Sequence, residues 1–126
     1  MFKPTKAFGG FSVNNLQEAK AFYENVLGLQ VQESEMGTLD IAAPGANHFM
    51  IYEKPNHTPA TYTVLNFLVP DIEAAVADLK SKGTKFESYD FPGLKTDADN
   101  ISRGEGPVVA WFTDPAGNIL SVIQES

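Results

Sequence analysis

Residues 13–29 read VNNLQEAKAFYENVLGL, and residues 66–83 read NFLVPDIEAAVADLKSKG. Each stretch leaves a short apolar strand, passes a capping residue, enters an amphipathic helix and stops at glycine. In the first, Asn15 is placed to cap, with Glu18 three residues on as in a capping box. Leu16, Ala19, Tyr23, Val26 and Leu27 recur at helical spacing with Phe22 beside them, and Gly28 suits a left-handed exit. In the second, Asp71 caps and Ile72, Ala75, Val76 and Leu79 form the apolar side. Gly83 ends the helix, with Lys80 and Lys82 in the last turn, where cations complement the helix dipole.

Outward from these helices the same order of elements occurs twice. Strands are expected over 6–13, 29–34, 38–43 and 48–53, and again over 62–69, 85–89, 108–113 and 118–124. Met36-Gly37, Pro44 to Asn47 and Asp114-Pro115-Ala116-Gly117 read as turns; in the last, proline and glycine account for the turn without any chemistry. An offset of 56 pairs Phe11 with Phe67, Val13 with Val69, Leu16 with Ile72 and Ala19 with Ala75. An offset of 71 pairs Ile41 with Phe112, Pro44 with Pro115, Asn47 with Asn118 and Met50 with Ser121. The chain is an internal repeat of a βαβββ unit. One domain over 1–126 is expected, with modules of about 6–54 and 61–125 and a polar, proline-bearing link at 55–59.

Composition narrows the function by exclusion. The 126 residues are 43% hydrophobic and 20% charged, which is globular composition. A net charge of −7 argues against a phosphate-backbone binder, so no nucleic-acid partner is expected. The absence of cysteine removes disulfides, thiolate metal sites and cysteine nucleophiles. No apolar run approaches a membrane span and the N-terminus does not read as a signal peptide, so a cytoplasmic location away from membranes is expected.

The duplicated unit resembles the vicinal oxygen chelate superfamily, which includes glyoxalase I, extradiol dioxygenases, fosfomycin resistance proteins and bleomycin-binding resistance proteins. VNNLQEAKAFYENVLGL resembles that family's first strand-to-helix signature, and VVAWFTDPAGNILSVIQ (108–124) resembles its last hairpin. The resemblance implies an α+β fold in which two βαβββ modules form a curled eight-stranded sheet. Helices cover the outside and a concave ligand cavity lies inside. It also implies a homodimer.

Two-residue alternation assigns the faces. Phe11, Val13, Leu65, Phe67, Val69, Leu120 and Val122 should meet the helices. The opposite face then carries Phe8, Gly10 and Ser12, with His48, Met50 and Tyr52 in the first module. In the second it carries Val64, Asn66 and Leu68, with Ile119, Ser121 and Ile123. Asp40 and Trp111 fall on this face too. The family's metal ligands are His or Glu on the first and last strands of each unit; alignment puts Phe8, Met50, Val64 and Ser121 there. Two hydrocarbons, a thioether and a hydroxyl make no site for a divalent ion, and one-residue slips supply no set of ligands. No metal and no cofactor is therefore expected.

The remaining candidates are ligand-binding side chains. His48 is the titratable group suited to general-base work, or else a strand-edge histidine. Asp40 could orient a cationic ligand or move a proton, or lie at a wet rim. Trp111 offers a stacking wall, or packs in the core. Asn66 needs a hydrogen-bond partner if buried, from ligand or protein. Tyr52 supplies a phenol at the cavity mouth, or packs. His57 reads as a solvated linker residue. The segment 92–107 reads as a long loop of the kind that forms lids. Its Arg103 either clamps a carboxylate or pairs with Asp97, Asp99 or Glu105. Two functions follow. One is a metal-free small-molecule binding protein of the bleomycin-resistance type. The other is a glyoxalase-like lyase or isomerase using His48, Asp40 or Tyr52.

Overall fold

Both helices begin where a capping side chain stands. In the computed structural model, which describes residues 1–45, 47–104 and 106–125, α1 spans Leu16–Ala21 and α2 spans Ile72–Ser81. Asn15 Oδ1 accepts from the Glu18 amide at 3.0 Å, and Asp71 Oδ1 accepts from the Ala74 amide at 3.1 Å. These bonds satisfy one orphan donor at each helix start. A second is satisfied from far away in sequence: Glu53 Oε2 accepts from the Leu16 amide and Gln124 Oε1 from the Ile72 amide, each at 2.8 Å. Glu53 and Gln124 are 71 residues apart, the spacing of the repeat. Gly28 and Gly83 follow the helices at φ +70° and +87°, as expected of left-handed exits.

The strands are β1 Gly9–Val13, β2 Gln30–Glu33, β3 Thr38–Ala43, β4 Asn47–Glu53, β5 Thr63–Val69, β6 Lys85–Phe86, β7 Asp90–Phe91, β8 Leu94–Lys95, β9 Ile101–Ser102, β10 Val109–Thr113 and β11 Ile119–Gln124. The chain divides into two compact units, Met1–Thr58 and Pro59–Ser126. The first holds a sheet of order β1-β4-β3-β2, with β1 parallel to β4 and the other pairs antiparallel. The second holds the order β5-β11-β10-β6, with β5 parallel to β11 and β9 added beside β10. The duplication read in the sequence is thus repeated in pairing order and in strand direction. The fold is α+β with two helices and mixed sheets. The expected eight-stranded sheet is replaced by ladders of four and five strands and a two-stranded ribbon, β7–β8.

In the first unit Val13, Leu39, Ile41 and Ile51 are fully buried. The Phe11 ring stacks on Phe49 at 5.8 Å and leans on Tyr23 of the helical segment at 6.2 Å. The second unit buries Ile72, Val76, Leu79, Ile101, Phe112, Leu120 and Val122. Of the residues that alternation assigns to the helix side, Val13, Leu120 and Val122 are buried, while Phe11, Leu65, Phe67 and Val69 are half-buried.

Four local expectations are corrected. The first strand starts at Gly9 rather than Lys6. The first helix does not run as a regular α-helix to Leu27. Phe22–Val26 forms a π-helical turn, closed by the Leu27 amide bonding to the Phe22 carbonyl at 3.0 Å. More residues per turn splay neighbours less, so the adjacent rings of Phe22 and Tyr23 are both buried, edge to face at 5.2 Å. The strand expected over 85–89 stops at Phe86. The Glu87 amide still bonds to the Trp111 carbonyl at 2.9 Å, but the Glu87 carbonyl and Ser88 Oγ accept from Asn100 Nδ2.

The segment read as a long loop, 92–107, carries short strands. Its chain is pinned by the β7–β8 ribbon, by β9, by buried Ile101 and by Asn100, which sits at φ +69° and accepts from Lys80 Nζ at 2.7 Å. Ala46 of the expected turn, Glu105 of the expected arginine partners and the terminal Ser126 lie outside the described residues.

The paired helix closures are testable in urea denaturation. Glu53→Ala should cost about 0.5–2 kcal/mol, as loss of a capping acceptor does. Glu53→Gln should keep the larger part, since Gln124 performs the same task with an amide. Equal losses for the two variants would contradict the shared role.

Candidate functional site

The first unit presents its helix-free face through β4, β3 and β2. Register places Gln30 opposite Ala42 and Ala42 opposite His48. One row along, Gln32 faces Asp40 and Asp40 faces Met50. Ala42 is the small residue of the first row, and a depression of about 320 Å³ opens there, lined by Gln30, Val31, Gln32, Asp40, Ala42 and His48. Asp40 and His48 meet across it, Oδ1 to Nδ1, at 3.6 Å, with side chains 57% and 40% exposed. They form an ion pair when the imidazole is protonated. A carboxylate beside an imidazole can bind a cation, orient the ring or relay a proton.

Met50 lies beside β1, where its carbonyl oxygen would sit 3.0 Å from a Cβ placed on Gly10. Glycine is what lets the two backbones approach there. Tyr52 is on the same face as His48 but four residues along the strand, about 13 Å at ~3.3 Å per residue. Phe8 precedes β1 and is 60% exposed. Ser12 carries a contact that the sequence did not reveal: its Oγ lies 2.7 Å from His57 Nδ1. His57 is therefore half-buried against β1, not a solvated linker residue. The signal was hidden because 45 residues separate the pair. Gln30 and Gln32 were missed as well; their parity opposite Val31 in β2 was the available sign.

The second unit carries the other four candidates. Ser121 is 1% exposed and its hydroxyl donates to Asn66 Oδ1, which gives the buried hydroxyl its partner. Asn66 itself is exposed, so the condition on which it was expected to need a partner is not met. Trp111 faces Ser121 in the β10–β11 ladder, half-buried, with the Tyr89 ring edge-on at 5.2 Å. Burial, and then the charge of Glu87, raise the Tyr89 phenol above its ordinary pKa. Arg103 is held by the chain's own carboxylates: Nε to Asp97 Oδ2 at 2.8 Å and a terminal nitrogen to Glu73 Oε1 at 3.3 Å. Glu73, on α2, was not among its expected partners. The candidates thus divide between the units: Phe8, Asp40, His48, Met50 and Tyr52 in one, Asn66, Arg103, Trp111 and Ser121 in the other.

The positions aligned with the family's metal ligands do not fit a metal. Phe8 and Val64 offer no donor atom, Met50 offers a thioether, and Ser121 offers only a neutral hydroxyl. Among the described residues, no three His, Cys, Asp or Glu side chains gather in a geometry that could hold an ion.

The family model described as Glyoxalase/Bleomycin resistance protein/Dioxygenase superfamily matches residues 8–122. No curated protein matches the chain. Solved structures do. The antibiotic binding protein TnmS3 from a Streptomyces species aligns with a TM-score of 0.69 and 22% identity, over 99% of this chain and 100% of its own. The genomically encoded fosfomycin resistance protein FosX from Listeria monocytogenes aligns at 0.71 and 15%, over 99% and 96%. An integron cassette protein from the mobile metagenome of V. cholerae aligns at 0.64 and 20%, over 100% and 99%. At these identities the likeness is one of fold.

Arg103 gives this region an acid response. Its hydrogen bond, followed by that of the Ile101 amide, holds the Asp97 carboxyl below the usual carboxylate range. A carboxylate whose pKa is depressed on folding contributes stability that is full above the ordinary carboxylate value and is lost as pH falls through the folded one. The unfolding midpoint of Arg103→Ala should therefore lie below that of the unsubstituted chain at pH 7. The gap should narrow below about pH 4. A gap unchanged down to pH 2.5 would show that Arg103 acts through packing instead.

Proposed function

Since the chain belongs to the Glyoxalase/Bleomycin resistance protein/Dioxygenase superfamily, we propose that it is a metal-free small-molecule binding protein whose ligand lies on the helix-free face of the first sheet. The observation that carries this is the substitution at the family's metal positions. Phe8, Met50, Val64 and Ser121 stand where the family has His and Glu ligands, and they offer two hydrocarbons, a thioether and a neutral hydroxyl. What remains on the first sheet is a depression with two amides, a carboxylate and an imidazole, a set suited to hydrogen-bonding a small polar ligand. The name of TnmS3 as an antibiotic binding protein supports a binding role for this fold. Arg103 is left out of this reading, because Asp97 and Glu73 hold the guanidinium. A cytoplasmic homodimer is part of the reading, as the family resemblance implies. Among the described residues, no helix is long and apolar enough to cross a membrane.

A second reading has one observation in its favour. Asp40 Oδ1 stands 3.6 Å from His48 Nδ1, longer than a hydrogen bond but near enough for the carboxylate to close on the ring and orient it as a general base when substrate binds. On that reading the protein is a glyoxalase-like lyase or isomerase. His48 moves the proton and Asp40 orients it, and Tyr52 is a more distant phenol on the same face.

A thermal-shift screen of small metabolites and antibiotics against the unsubstituted protein, Asp40→Ala and His48→Ala tests the binding face. Both side chains are exposed, so the variants should fold. Ligands that stabilise the unsubstituted protein should stabilise the variants less. Equal stabilisation of all three would place the ligand elsewhere. Turnover of a stabilising ligand, lost in His48→Ala, would favour the enzymatic reading.

A further inference from the structure

Asp40 and His48 are the two ionisable groups lining the depression; Gln30, Gln32, Val31 and Ala42 complete its wall. The residues that share this face around Asp40 are few. From β2 they are the neutral Gln30 and Gln32, and from β3 Thr38 and Ala42. From β4 they are His48, Met50 and the phenol of Tyr52, and from β1 Gly10 and Ser12, the latter with His57 against it. Glu33 has the opposite parity in β2, and its carboxylate meets Lys20 at 3.8 Å and Gln17 at 3.1 Å. Among the described residues of this face, His48 is the one whose protonation places a cation against Asp40.

We propose that the depression takes a compact organic cation, a primary ammonium or an amidinium, against Asp40, and that protonation of His48 competes with it. The proposal rests on the binding face described above. With His48 neutral, the carboxylate carries an uncompensated charge in a recess whose neighbours are amides. Both glutamine carbonyls can accept from the N–H groups of a cation. With His48 protonated, the imidazolium supplies the positive charge from 3.6 Å away. The net charge of −7 adds a long-range attraction for cations and none for anions. Ligand and proton then oppose one another electrostatically, so affinity is higher with the imidazole neutral than with it protonated.

The test is an NMR titration with three probes of one shape: benzylammonium, benzyl alcohol and benzoate. Each is run at pH 8 and at pH 5.5, where benzylammonium keeps its charge. Binding is read at the amides of Gln30, Gln32, Ala42 and His48. Benzylammonium should bind more tightly than either analogue at pH 8. It should weaken about two- to fivefold at pH 5.5, the size expected for an exposed pair. Asp40→Asn should abolish the preference for the cation, and His48→Gln should keep it while removing the pH dependence. Three outcomes overturn the proposal: a cation bound no more tightly than the alcohol, a pH dependence that survives in His48→Gln, or no perturbation of these amides by benzylammonium. Perturbation of the same amides by alcohol or benzoate without a cation preference overturns only the ligand class and leaves the binding face standing. Failure of the face itself shows separately, as equal thermal stabilisation of the alanine variants.

Discussion

The first amide of each helix is held by a side chain at the end of the last strand of its unit: Leu16 by Glu53 and Ile72 by Gln124. The rest of each unit depends on this. The same strand ends bond to the first strand, the Lys54 amide to the Val13 carbonyl at 3.0 Å and the Glu125 amide to the Val69 carbonyl at 2.8 Å. First strand, helix start and last strand are thus joined at one point, twice in the chain. With the helix fixed against one side of its sheet, two-residue alternation leaves the other side to the remaining side chains. In the first unit that side carries Asp40, His48 and the two glutamines, and it is where the depression lies.

Much of this was legible because it rests on local rules. Asn15 and Asp71 cap where a short polar side chain precedes an apolar periodicity, and Gly28 and Gly83 exit where a left-handed residue is needed. The repeat offsets carried the strand order, since 56 and 71 map one unit's pairing onto the other. What escaped is non-local. Asn100 bonds to Glu87 and Ser88 beyond the end of β6, and nothing in the polar wording of residues 92–107 distinguishes that from an open loop. The π-turn arises from two adjacent rings competing for one core, which a helical wheel scores as a single apolar stripe.

The candidate site shows the same division. The approach of Asp40 to His48 follows from the β3–β4 register, and both residues were singled out from parity alone. Gln30 and Gln32 were not, because two glutamines in a short polar strand resemble any solvated edge until Ala42 is seen to leave a gap beside them. The Ser12–His57 contact depends on how residues 54–58 fold back, set by the His57 amide bonding to the Lys54 carbonyl at 3.0 Å. Arg103 found Glu73 on the helix of its own unit, a partner that sequence distance concealed.

The central claim is that this chain keeps the family's fold and has given up the family's ligand set for a divalent ion. Calorimetric titration of the purified, chelator-treated protein with zinc, manganese and nickel tests it most directly. The account predicts no stoichiometric, tight binding of any of the three. One equivalent of metal bound tightly per chain, or per pair of chains, would contradict it.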